Sequence, residues 1–406
     1  MQVQTLKANG EWLTANSDLS KALSPEASSQ KPVAGIYIHI PFCKQACSYC
    51  NFHFSTSLAN KDALLIALHE ELRLRLDYLA GADIESIYFG GGTPSLLSAK
   101  EIENLLEAIS SLYTVTSNAE ITLEANPDDL TSDKVWELKG TLVNRLSIGI
   151  QSFYDDELKY MNRAHTAKEG FAALERAKNA GFRSLTMDLI YGTPLLTEQR
   201  WIESLQRVAD FGIPHLSAYQ LTIEPKTVLA HQINKGISPA PNDEATVRQF
   251  EMLMDWAIDF EYEHYEISNL AKPGHRAVHN SNYWKGIPYL GIGPSAHSFN
   301  GREREWNIAN NALYINGIAK GNARQGIETL TEKELYNEYM MTGLRTVEGV
   351  EIVKLSRYAL HFQEHFMESV IPYLTQGKVR FTGGSWILTR TGKFLADRIA
   401  SELFVV

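Results

Sequence analysis

Six short runs rich in β-forming residues recur along the first half of the chain, at residues 35–40, 86–89, 120–125, 145–150, 185–190 and 215–221. Several read as near-continuous apolar stretches, such as Leu146-Ser147-Ile148-Gly149-Ile150. That composition suits parallel strands covered on both faces. Between them, residues 61–79 place Leu64, Leu65, Leu68, Leu72 and Leu76 at helical spacing, and residues 99–112, 167–180 and 197–211 behave alike. Strand–helix alternation predicts an α/β fold with a parallel sheet. Six units are too few for the eight-stranded barrel, so the expected form is a partial, open (βα)6 barrel. Chemistry in such folds sits at the C-terminal ends of the strands.

Unusual polar residues fall at those ends. Three cysteines follow the first run, and Gly90-Gly91-Gly92-Thr93-Pro94 follows the second. Glu124 ends the third, Gln151 follows the fourth, Asp188 lies near the end of the fifth, and Thr222 and Glu224 follow the sixth. Beyond them, residues 242–260 read as a helix. Residues 266–300, rich in Gly, His, Asn, Trp and Tyr, read as ordered loop. From residue 331 helices return, Gly383-Gly384 marks a hairpin, and residues 391–403 form a last amphipathic helix. This end of the chain is expected to be a small, helical, winged-helix-like domain. The division expected is a disordered leader (1–32), the barrel (33–225), a barrel extension (226–328) and the C-terminal domain (329–406).

A chain of 406 residues has room for two or three such units. Its net charge of −10, with no cluster of Lys and Arg, argues against a nucleic-acid partner. No apolar run approaches the roughly 18–20 residues of a membrane span, and residues 1–30 lack the apolar core of a signal peptide. A cytoplasmic protein is expected.

The only cysteines are Cys43, Cys47 and Cys50. Three clustered thiols in a reducing compartment point to a metal. Thiolates are the standard ligands of iron–sulfur clusters, and a 4Fe–4S cubane bound here has one iron with no protein thiolate. S-adenosylmethionine (SAM) can fill that position through its amino and carboxylate groups, and such a pair supplies a 5′-deoxyadenosyl radical. The alternative is a zinc site completed by His39 or His53. Structural zinc usually draws its ligands from two separated knuckles, whereas one loop supplies every thiol here.

The segment from Tyr37-Ile38-His39-Ile40-Pro41-Phe42-Cys43 through Tyr49-Cys50 resembles the radical SAM enzymes related to oxygen-independent coproporphyrinogen III dehydrogenase, and the similarity spans roughly residues 35–400. The resemblance implies SAM contacts at Tyr37, Gly91, Gly92, Thr93, Glu124, Gln151, Arg163 and Asp188, with Tyr49 as an aromatic neighbour. The residue types agree with it. Glycines let backbone approach a ligand closely, Gln151 donates and accepts at once, and Arg163 can hold a carboxylate in bidentate fashion. Taken alone, carboxylates such as Glu124 and Asp188 are more often helix caps or salt-bridge partners.

Two departures separate this chain from the dehydrogenase. Phe52 stands where that enzyme carries an additional Cys, and His279-Asn280-Ser281-Asn282-Tyr283-Trp284 matches the signature of HemW-type heme chaperones. That resemblance implies heme as a further cofactor, His279 as its axial ligand, Tyr283 and Trp284 stacked on the macrocycle, and Asn280 orienting the imidazole. The residues alone also allow a loop closed by a histidine hydrogen bond over two buried aromatics. His297 is a second candidate ligand. The function implied is delivery of heme to client hemoproteins, respiratory enzymes among them, with the cluster and SAM gating transfer. No catalytic residue is assigned, and SAM cleavage and dimerisation stay open. The alternatives are oxidation of coproporphyrinogen, which Phe52 opposes, and radical chemistry on a macromolecule such as RNA, which the acidic charge opposes.

Overall fold

The computed structural model describes residues 31–406 and, ahead of them, a short antiparallel ladder between Gln4–Leu6 and Trp12–Thr14. The rest of the leader expected to be disordered lies outside the described residues.

Six parallel strands run in sequence order: β1 (Val33–Ile40), β2 (Asp83–Gly91), β3 (Val115–Ala125), β4 (Arg145–Gln151), β5 (Ser184–Tyr191) and β6 (His215–Gln220). Helices α1 (Lys61–Leu74), α2 (Ala99–Leu112), α3 (Ser132–Lys139), α4 (Ala167–Asn179) and α5 (Glu198–Phe211) connect them. Their starts are written in the sequence: Ser98 with Glu101, and Thr166 with Glu169, form capping boxes. Helix α1 stops at Leu74, short of the predicted residue 79, and the chain turns through Ala80 (φ 49°) and Gly81 (φ 75°).

The strands are not uniformly apolar. In β4, Leu146, Ile148 and Ile150 are fully buried in the core. With a period of two, Ser147, Gly149 and Gln151 face the opposite side, the lumen of the barrel. The same alternation puts Tyr37 and His39, Ser86 and Tyr88, and Ser217 and Tyr219 inside. Tyr219, next to the C-terminal end of β6, keeps 43% of its surface exposed.

The region after β6 departs from the expectation of ordered loop. Helix α6 (Asp243–Asp259) leads to β7 (Glu263–Glu266) and β8 (Asn269–Ala271), which add antiparallel beyond β6 in the order β6-β8-β7. Helix α7 (Val278–Trp284) then crosses beneath the barrel. On the far edge β9 (Tyr289–Ile292) pairs parallel with β1, followed by antiparallel β10 (His297–Phe299), β11 (Glu303–Asn307) and, after α8 (Asn311–Ile318), β12 (Arg324–Thr329). Most of these strands hold three to five residues, too few for alternation to register. The result is one twelve-stranded sheet.

The C-terminal region has its own core, built on Tyr336, Met340, Phe366 and Trp386. Helices α9 (Glu332–Leu344), α10 (Leu360–Thr375) and α11 (Ala396–Glu402) pack with a three-stranded sheet of β13 (Val350–Glu351), β14 (Val379–Thr382) and β15 (Ser385–Leu388). The β14–β15 turn runs through Gly383 and Gly384 at φ 58° and 82°, the hairpin expected. The predicted last helix is split into Arg390–Lys393 and Ala396–Glu402. Among the described residues no helix is long and apolar enough to cross a membrane.

Candidate functional site

The cysteine loop leaves the C-terminal end of β1 and is pinned from both sides. Ser48 donates its N–H to Met161 and its hydroxyl to the Tyr160 carbonyl, each at 3.0 Å, and Leu229 N–H donates to Ser48 at 2.8 Å. Asn162 donates to the Ala46 carbonyl at 2.7 Å. Thr93 donates to the Cys43 sulfur at 3.5 Å, and Arg163 to that of Cys47 at 3.2 Å. Burial pushes the Cys43 thiol up to about 11 and raises that of Cys50. Ligation by a metal would hold both as thiolates. Among the described residues no three His, Cys, Asp or Glu side chains converge on one ion. The histidines of the zinc alternative are also engaged. His39 bonds through Nδ1 to Tyr37 at 3.3 Å and through Nε2 to the His53 carbonyl at 2.9 Å, while His53 Nε2 meets Asn311 at 2.7 Å.

Next to the loop, the lumen presents polar groups whose bonding capacity is only partly used. Glu124 accepts a hydrogen bond from Tyr88 at 2.7 Å. Burial pushes its carboxyl up to about 7, the Tyr88 bond opposes the shift, and the charge of Asp188 adds to it. Asp188 is pushed up to about 6 by burial, with Ser147 (3.1 Å) and Ser217 holding it down. No Lys or Arg pairs with either carboxylate among the described residues. Gln151 ends β4 at φ 64°, a conformation few non-glycine residues adopt, and its Oε1 is buried without a partner. The buried Nε of Arg163 is likewise unpartnered. An ammonium, a carboxylate and ribose hydroxyls are the complement of this set. Packing also requires the glycine run. A Cβ at Gly91 (φ 103°) would meet the His39 ring at 2.5 Å, and one at Gly92 the Ile40 and Phe42 backbone under 3 Å. These glycines let β2 pack under the cysteine loop.

The signature segment lies at the opposite end of the same lumen. Its residues form α7, whose first two free N–H groups, of Val278 and His279, donate to Glu120 at 3.0 and 3.1 Å. The His279 ring faces inward. Its Nδ1 lies 2.9 Å from Ser86 Oγ, the ring stacks on Tyr88 at 5.1 Å, and Tyr37 follows at 6.4 Å. Burial lowers its pKa to about 4, so the imidazole is neutral at physiological pH. Nε2 has no hydrogen bond among the described residues. Asn280 does not orient this ring. It donates to Asn269 at 3.4 Å, and Ser86 takes the expected role. Nor do the aromatics join His279. Tyr283 is 50% exposed, and Trp284 stands edge-on to it at 5.1 Å under the guanidinium of Arg345. His297, exposed on β10, stacks on Trp306.

Residues 37–208 match the Radical SAM superfamily and residues 330–395 the HemN C-terminal domain. The heme chaperone HemW of Bacillus subtilis is 34% identical over 367 residues, covering 89% of this chain and 97% of that protein. The chain belongs to the HemW family. The heme chaperone HemW of Escherichia coli is 31% identical, with 92% of this chain and 98% of that protein covered. The fold is that of coproporphyrinogen III oxidase (HemN) from Escherichia coli, described as a radical SAM enzyme, with a TM-score of 0.79 at 24% identity over 93% of this chain and 91% of that one. The superfamily cofactors, a 4Fe–4S cluster and SAM, fit the residues present in this HemW-family chain. Cys43, Cys47 and Cys50 would hold the cluster. Gln151 Oε1 and Arg163 Nε, with the carboxylates of Glu124 and Asp188, offer the polar groups for SAM.

Sequence reasoning missed Ser86, Tyr88 and Glu120, which build the floor around His279. The signal was the inward alternation Tyr37-x-His39 and Ser86-x-Tyr88, visible in β1 and β2 once they are read with a period of two.

Proposed function

We propose that this chain is a heme chaperone, which binds heme and transfers it to client hemoproteins while carrying a SAM-coordinated 4Fe–4S cluster. The observation that carries the reading is His279 of a HemW-family chain: a neutral imidazole facing the lumen, fixed through Nδ1, with Nε2 left for iron. Cys43, Cys47, Cys50 and the carboxylate pair serve the cluster and SAM at the other mouth. Arg163 keeps Cys47 and Asn126 in place, and Gln151 and Asp188 are held on adjacent strands. Clients are hemoproteins, with respiratory enzymes the first to examine. The chaperone works in the cytoplasm.

Hemin titration followed at the Soret band tests the reading. Wild type should bind about one heme per chain. His279→Ala should weaken binding at least tenfold with the cluster spectrum unchanged. Wild-type affinity and spectrum in that variant would falsify the assignment of His279. Anaerobic incubation with SAM, reductant and coproporphyrinogen III should yield no protoporphyrinogen, in keeping with Phe52, 68% exposed, where the dehydrogenase has a Cys.

A further inference from the structure

Tyr88 touches both ends of the lumen. Its hydroxyl donates to Glu124 at 2.7 Å, one of the groups that suit SAM. Its ring lies against His279, with centroids 5.1 Å apart and planes 27° from parallel, and against Tyr37 at 6.1 Å and 21°. Ser86, on the same strand, holds Nδ1 of that imidazole. Strand β2 therefore carries both the stacking and the hydrogen-bonding partner of His279, and the stacking partner is tied to Glu124.

A hydrogen bond to a carboxylate is stronger than a neutral one and polarises its donor. A phenol donating to an anion presents a more electron-rich face. An imidazole stacked on that face donates better to a metal through its remaining nitrogen. A cation seated on Glu124 reduces the polarisation and competes for the oxygen that holds the phenol in place.

We propose that Tyr88 couples the two sites, so that SAM seated on Glu124 weakens the hold of His279 on heme. The coupling rests on the reading of His279 as the heme ligand. Being a linkage between two binding equilibria, it is reciprocal: heme weakens SAM by the same factor. A factor of about five is expected, the low end of the usual range. Tyr88 is a positioning residue here, since it acts on heme through His279.

The experiment uses the full chain with its cluster reconstituted and oxidised, titrated with hemin with and without saturating SAM. In wild type, SAM should raise the hemin Kd about fivefold. Tyr88→Phe keeps the ring and loses the bond to Glu124. Its hemin Kd without SAM should already equal the wild-type value with SAM, and adding SAM should leave it unchanged. Ser86→Ala should bind hemin more weakly but keep the wild-type response to SAM. A wild-type Kd indifferent to SAM overturns the coupling, as does a Tyr88→Phe protein that binds hemin as tightly as SAM-free wild type. If His279→Ala titrates like wild type, the heme reading has failed by itself. The coupling is then read from the ring nitrogens of His279 by 15N NMR. Movement on adding SAM in wild type but not in Tyr88→Phe supports it, and no movement in wild type sinks it.

Discussion

Glu124 is the residue whose chemistry is most exposed to solution conditions. It is pushed up to about 7 by burial, and its ionised form is the one that accepts an ammonium. That form predominates above pH 7 and is lost as pH falls. Lowering the pH from 8 to 6 should therefore weaken SAM binding roughly tenfold, measured by equilibrium dialysis with the cluster oxidised. Asp188, at about 6, titrates next and steepens the loss toward the acid end. Glu124→Gln should bind SAM weakly with the high-pH advantage removed, and an unchanged wild-type profile across this range would show that the carboxylate is not a SAM contact. Cys43, Cys47 and Cys50 leave no spare thiol in the chain, so Ala at any one of them should prevent reconstitution of four irons per protein by iron analysis. These residues were legible because each stands at a strand end or in a fixed spacing. Ser86 and Tyr88 were missed because their only mark, the period-two alternation in β2, shows once the run is read as a two-faced strand and not as an apolar stretch.

At the scale of elements, the least legible feature was how α1 is fixed to the second half of the sheet. Glu71, buried on α1, accepts from Tyr314 at 2.6 Å, Asn307 at 2.7 Å and the Gly293 N–H at 2.8 Å. In the sequence it is one more acid on an amphipathic helix, and its partners lie more than 200 positions away. Burial raises its pKa while these three donors oppose the shift. Glu71→Ala would strand buried donors and should destabilise the fold by about 3 kcal/mol or more in urea unfolding. Glu71→Gln keeps one acceptor and should cost less. A loss below about 1 kcal/mol in the Ala variant would mean that water replaces the carboxylate. Most of the βα alternation, by contrast, was readable, since α2, α4 and α5 begin at side-chain caps and the outward strand faces are mostly apolar, whereas α3 was not foreseen. The extension into twelve strands was hidden by strands too short to alternate.

Among the described residues the barrel and the C-terminal region each have a large hydrophobic core, and Arg345 is one tie between them. It reaches from the end of α9 to Glu266 at 3.0 Å, where that carboxylate is 1% exposed, and lies over Trp284. Arg345→Ala leaves Glu266 buried without its cation, a change that costs about 3–5 kcal/mol. The expected readout is a single unfolding transition in wild type that separates into two in the variant, the C-terminal core melting first by limited proteolysis. One unsplit transition at the wild-type midpoint would show that the cores are joined elsewhere. The sheet order has a further consequence, for synthesis. Strand β1 is paired on one side by β2 and on the other by β9, which follows it by about 250 residues in the chain. At about 5–20 residues per second, the ribosome leaves β1 with an open edge for roughly 12–50 s after it emerges. During that wait the cysteine loop, which hangs from the end of β1, has no finished barrel behind it. A nascent chain arrested before residue 289 should therefore aggregate and fail to retain iron, whereas one released past β12 should retain it.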